Sequence, residues 1–208
     1  MMNSNSNFAK SAIVMIDVVV GMTSNGSFGL KYGKDEVKYI DGTVKNIENF
    51  IRKNTNNFAA KCLVRSIYQE GKFTNDKSDP LYNLCVQDSK DIDNLFSLDD
   101  SWVEINKDEN DTMKDIKFKN WIQNLNTKSQ IDNLYIIGFT LTSCVRQTAL
   151  SIADFFKENN IKIKIILPLN LISYRASYEV KKNNKSIVDK VIEELKDSNV
   201  IVIDKIDI

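Results

Sequence analysis

The segment Leu134-Tyr135-Ile136-Ile137-Gly138-Phe139-Thr140-Leu141-Thr142-Ser143-Cys144-Val145 decides how this chain folds. Its first four residues are apolar and rich in β-branched and aromatic side chains, which reads as a strand. A glycine and a hydroxyl-rich turn follow. A helix then opens at once, because Val145, Ala149, Ile152 and Phe156 recur at steps of three and four. A strand that runs straight into a helix is half of a parallel crossover.

The same alternation extends in both directions. Upstream, Ala12-Ile13-Val14-Met15-Ile16 is a continuous apolar run, the mark of a strand buried on both faces. Val37, Ile40, Val44, Ile47 and Ile51 predict an amphipathic helix, residues 59–64 a strand, 102–105 a short strand and 114–125 a helix. Downstream, residues 161–167 read as a strand, 186–195 as a helix and 200–203 as a last strand. Strands alternating with helices specify the α/β class, with a parallel sheet covered by helices on both faces. One stretch breaks the rhythm. Residues 68–98 are polar and irregular, with Gly71 and Asp79-Pro80, and a loop this long is functional or a lid. A chain of 208 residues suits one domain, here 11–208, with residues 1–10 expected to be a frayed tail.

Composition narrows the chemistry. Lysine and arginine (28) balance aspartate and glutamate (28), which argues against nucleic-acid binding by bulk charge, and no polybasic run suggests a membrane surface. The run from Ala12 to Met22 is too short to span a bilayer and carries Asp17. The chain contains no histidine, which removes Ser-His-Asp triads, Cys-His dyads and histidine metal sites. Acid–base work falls to Asp, Glu, Lys, Tyr or Cys. Three widely spaced cysteines without a CxxC pair, behind a polar N-terminus, suggest a reducing cytoplasm. No GxGxxG follows the first strand and no GxxxxGK[ST] occurs. A phosphatase loop would place arginine where Leu150 stands.

Ligand sites in open α/β sheets lie beyond the carboxyl ends of the strands. Asp17 follows the first strand, Lys107 the third and Cys144 the fourth. A thiol at a helix N-terminus is expected to have a lowered pKa, and a nearby lysine would lower it further. Asp17 is then the available base, and amides at the helix start can hold an oxyanion. Each residue also has a plainer reading. Cys144 can be a small buried hydrophobe, and Lys107, followed by Asp108 and Glu109, reads in isolation as a solvated charge. Cys62 sits in an apolar strand as core, and Cys85 in the polar loop carries no assigned role. Met22, Arg65 and Tyr68, at or just beyond the first two strands, are candidate substrate-binding residues.

Taken together, these segments resemble the isochorismatase-like cysteine hydrolases, which include nicotinamidases, N-carbamoylsarcosine amidases and ureidoacrylate amidohydrolases. The likeness runs from about Ser11 to Ile203. Its strongest piece is Ile136 to Ala149, with a glycine, a turn, Cys144-Val145 and Thr148-Ala149. Ile13 to Asp17 is similar to the first-strand aspartate motif and Val103 to Lys107 to the lysine motif. Lys164 to Pro168, followed by Ser173, is similar to the segment beyond the nucleophile helix. The resemblance implies a three-layer, Rossmann-like sandwich around a six-stranded, mainly parallel sheet. It implies that Asp17 is the base, Lys107 the charge stabiliser and Cys144 the nucleophile. It further implies a cis bond between Phe139 and Thr140, and an oxyanion hole from the amides of Thr140 and Cys144. A homo-oligomer, dimer or tetramer, is implied as well.

The chain also departs from that family. Nicotinamidases of this group commonly bind a metal through Asp and His, whereas the segment here reads Val64-Arg65-Ser66-Ile67-Tyr68 and no metal or other cofactor is expected. Val19 stands where many members have a polar residue, and Asp108 to Met113 replaces a stretch that often carries an aromatic. The first functional expectation is therefore a metal-independent hydrolase that cleaves the C–N bond of a small amide or ureido compound through a thioacyl-enzyme. An isochorismatase-type vinyl ether hydrolase and a non-catalytic binding or assembly member are the alternatives.

Overall fold

A computed structural model describes residues 8–128, 130–182 and 184–208. Strands β1 (Ser11–Ile16), β2 (Ala60–Ser66), β3 (Val103–Lys107), β4 (Asn133–Phe139), β5 (Lys164–Pro168) and β7 (Ile201–Ile203) form one sheet in the order β3-β2-β1-β4-β5-β7. The two-residue strand β6 (Ile172–Ser173) pairs with β4 beyond the end of β5 and adds a seventh strand to the expected six. Every pairing is parallel. The chain builds β1, β2 and β3 outward on one side, then returns to lay β4 on the other side of β1. The order of strands therefore reverses between β1 and β4, and that crevice is the expected place for a ligand.

Alternation along β1 divides the core. Ala12, Val14 and Ile16 face a layer made by Phe118, Ile122 and Leu125 of α3 (Ile116–Lys128), Ile152 and Phe156 of α4 (Arg146–Glu158), and Val188, Val191 and Leu195 of α5 (Ile187–Asp197). Ile13 and Met15 face the opposite layer, where α2 (Lys34–Asn54) buries Val37, Ile40, Ile47, Phe50 and Ile51. Both faces of the sheet are thus covered, as continuous apolar strands require. A capping box at Ser186 and Asp189 starts α5.

One sequence expectation gives way here. The frayed tail ends sooner than residue 10. Phe8–Lys10 forms a single helical turn, and Phe8 is buried against Phe58, with ring centroids 4.5 Å apart, and against Phe50 and Tyr135. Residues 1–7 of that tail lie outside the described residues. A short helix α1 (Ser27–Tyr32) also appears where no periodicity announced one. The 68–98 segment packs against the residues that follow β1 and against α1. Val19 bridges to Asn94, Val20 donates to Asp93, and Asp91 accepts from the amides of Ser27 and Cys85. An ion pair between Lys31 of α1 and Asp79 joins the same two elements. Among the described residues, no helix is long and apolar enough to cross a membrane.

Candidate active site

Asp17 is the first residue after β1, fully buried, with a positive φ of 52°. Aspartate is among the few side chains that tolerate this left-handed conformation. The turn leaves the Asp17 amide bonded to the Val64 carbonyl at 2.9 Å, while its carboxylate accepts from the Ser66 amide at 2.7 Å. Lys107 ends β3, two strands away, and its ammonium crosses over Ser66 to reach the crevice. Lys107 Nζ lies 3.0 Å from Asp17 Oδ2, 2.6 Å from Ser66 Oγ and 3.4 Å from Cys144 Sγ. Asp108 and Glu109 follow Lys107 and suggest a solvated charge, yet its side chain is only 1% exposed. Strand register explains this: Lys107 pairs with Ser66, a side chain small enough to let the ammonium pass.

Cys144 sits in a π-helical turn, Leu141–Val145, that leads into α4. That turn hangs from β4 through Gly138, whose φ is 111° and whose position has no room for a Cβ, since one would stand 2.1 Å from the Ile16 carbonyl oxygen. The Phe139–Thr140 peptide is cis. The Cys144 thiol donates to Asn110 Oδ1 at 3.6 Å. Asn110 is held by its neighbours: Asp111 accepts from Ser151 of α4 at 2.7 Å, and the Thr112 and Thr148 hydroxyls meet at 2.9 Å.

The electrostatics differ from the sequence expectation for the thiol. Burial pushes Cys144 up to about 12, the Asp17 carboxylate adds to that rise, and Lys107 opposes it. Loss of solvent around the sulfur and the neighbouring carboxylate both disfavour the thiolate, and the Lys107 ammonium offsets only part of that. For Lys107, burial disfavours the ammonium, but the Asp17 carboxylate more than compensates and holds its pKa above the usual lysine range. The resting pocket is therefore a buried ion pair beside a protonated thiol.

Cys144 forms part of the wall of a cavity of about 400 Å³. Met22, Phe28, Tyr68, Phe73, Thr140 and Asn110 contribute to the lining. So does Arg175, whose guanidinium is sandwiched 4.2 Å from the Tyr32 ring and 4.4 Å from the Tyr178 ring, with Glu36 3.9 Å away. Two of the three substrate-binding candidates, Met22 and Tyr68, thus reach the cavity. Arg65 does not, and that assignment is corrected. Successive strand residues point to opposite faces, so Ser66 turns to the site and Arg65 turns away, where it pairs with Glu104 at 2.6 Å. Cys62 and Cys85 are fully buried outside the cavity wall, and burial raises both thiols well above the usual range. Sequence reading missed Ser66, Asn110 and Arg175. Period-two counting from Val64 offered the signal for Ser66; Asn110 and Arg175 had none.

The chain belongs to the isochorismatase family: the isochorismatase domain matches residues 11–154. It is a hydrolase of that family. Among solved structures, it is similar to an Acinetobacter baumanii nicotinamidase/pyrazinamidase, with 15% identity over 94% of this chain and 96% of that one and a TM-score of 0.66. It is also similar to the pyrazinamidase of Pyrococcus horikoshii in complex with zinc (16%, 93% and 98%, TM-score 0.63). An isochorismatase family protein from Desulfovibrio vulgaris gives 13%, 93% and 93%, with a TM-score of 0.62. At these identities the likeness is one of fold. No curated protein sequence matches the chain. A metal site built on histidine and carboxylate does not fit the residues present. The chain has no histidine, and among the described residues no group of three or more Cys, Asp and Glu can hold a metal ion.

Proposed function

We propose that this protein is a cysteine amidohydrolase that cleaves the C–N bond of a small amide or ureido compound through a thioacyl-enzyme. One observation carries the reading: Lys107 Nζ stands 3.0 Å from a buried carboxylate and 3.4 Å from a sulfur that opens onto a cavity of about 400 Å³. A neutral thiol beside a carboxylate is a nucleophile with its base in place.

In this reading, Asp17 takes the thiol proton as Cys144 Sγ attacks the carbonyl carbon. The amides of Thr140 and Cys144 hold the oxyanion, and the Lys107 ammonium, paired with the Asp17 carboxylate at rest, offsets the negative charge as it passes from that carboxylate to the oxyanion. The tetrahedral intermediate collapses, the C–N bond breaks, and Asp17 returns the proton to the leaving nitrogen. Water then attacks the thioester, its proton passing to Asp17. The C–S bond breaks, the acid departs and the proton returns to sulfur. The aromatic wall suits a planar acyl group, and Arg175 suits an acidic or strongly polar substituent on it.

The test is a screen of small amides and ureido acids against the purified protein, with Cys144→Ala as control. Turnover is expected to fall by at least about 10³-fold in that variant, with its melting temperature kept, since the oxyanion hole and binding sustain only residual catalysis. Turnover that survives the substitution would sink the nucleophile assignment.

A further inference from the structure

Beyond the three groups of the proposed mechanism lies a chain of hydrogen bonds with a defined direction. Lys107 Nζ has only donors, so Ser66 Oγ must accept from it, at 2.6 Å. Ser66 then donates its own proton to the Tyr68 hydroxyl at 2.8 Å. The phenol oxygen is thereby the acceptor in that bond, and the Tyr68 proton must look elsewhere. Tyr68 is 4% exposed, contributes to the cavity wall, and has its ring held edge-on to Phe73 at 4.8 Å. Its hydroxyl proton makes no bond to any described residue. A buried donor without a partner, next to a cavity, is a donor reserved for whatever fills that cavity. Burial raises the Tyr68 pKa, so the group remains a neutral phenol at physiological pH.

We infer that Tyr68 is a substrate-binding residue whose hydroxyl donates to an acceptor on the acyl part of the substrate, and that Ser66 positions it. The preferred substrates then carry a hydrogen-bond acceptor on the acyl part, close to the scissile group. Compounds of the same shape that lack the acceptor leave the phenol unpaired and bind less well. This rests on the amidohydrolase reading for its choice of reaction, but its test needs no turnover.

Two electrophiles of matched shape, benzyl chloride and 3-(chloromethyl)pyridine, differ in one ring acceptor. Their rates of alkylation at Cys144 are measured by mass spectrometry and divided by their rates with glutathione, which cancels intrinsic reactivity. The intact protein is expected to favour the pyridine compound by about fivefold, the yield of one hydrogen bond of about 1 kcal/mol. Tyr68→Phe, which keeps the ring and its contact with Phe73, brings the normalised ratio to one. Ser66→Ala keeps the phenol but frees its proton to turn, and lowers the preference to about twofold. An intact protein without preference, or a preference that survives Tyr68→Phe, overturns the inference. If Tyr68→Phe does not fold, an unchanged ratio in Ser66→Ala overturns it instead. The amidohydrolase reading fails separately, in the Cys144→Ala turnover control.

Discussion

The floor and the mouth of the cavity are built by different rules. At the floor, Asp17, Lys107 and Cys144 project from the ends of β1, β3 and the turn after β4, and all three are at least 96% buried. The register of β1, β2 and β3 places Asp17 and Lys107 side by side, and each of the three polar groups has a named partner. At the mouth, Phe73 is 44% exposed, and the wall comes from α1, the 68–98 segment and the residues around Arg175. Those parts are tied to one another by side chains, such as Lys31 to Asp79 and Asp91 to two amides, and not by the sheet. Under the proposed mechanism, the contrast assigns reaction chemistry to the layer built on strand ends and selection among substrates to the layer that loops assemble.

Removing the cation from the floor should have the largest effect. Lys107→Met leaves the Asp17 carboxylate buried without its ammonium, and loss of one partner from a buried pair costs about 3–5 kcal/mol. The raised pKa of Lys107 means that this stabilisation is complete below the ordinary lysine pKa of about 10.4 and fades only as pH climbs past its folded value. Denaturant melts of both proteins between pH 6 and 9 should therefore show the full difference, and a loss below about 1 kcal/mol would make the floor no stiffer than the mouth.

A milder probe asks how the floor holds its proton. With Cys144 pushed up to about 12, alkylation by iodoacetamide should accelerate about tenfold per pH unit from pH 7 to 10, without a plateau. A thiol lowered by a helix end would instead level off near neutrality. The pH–rate profile at Cys144, read by mass spectrometry, separates the two.

The smallest expected change lies at the mouth. Phe73→Ala removes an exposed ring whose edge-on contact with Tyr68 is worth about 0.5–1.5 kcal/mol. Stability should fall by no more than that, and KM for a substrate found in the amide screen should rise about threefold with kcat within a factor of two. A large drop in kcat would mean that the mouth shapes the chemistry too.

Much of the floor could be read in advance. Apolar runs in Ala12 to Ile16 and Leu134 to Ile137 announce doubly covered strands, and any reactive group just past such a run falls at a strand end. Lys107 was harder, since its acidic neighbours imitate a surface, and its burial follows from pairing with Ser66 rather than from its own surroundings in the chain. Arg65 shows the opposite error. It lies in the correct segment but on the wrong face, because one residue of register exchanges the two sides of a strand. The position of Cys144 at a strand-to-helix turn is legible in the chain, but its proton affinity is not, because tertiary packing sets how deeply the sulfur sits.

Hydrophobic periodicity by itself determined the α/β class, the strand ends and the three groups standing on them, because burying an apolar face is a local demand that repeats along the chain. Tertiary structure decided which of those groups meet, how their proton affinities shift, and that Ser66, Asn110 and Arg175 join them. Distances and desolvation depend on segments remote in sequence, and no local pattern encodes those.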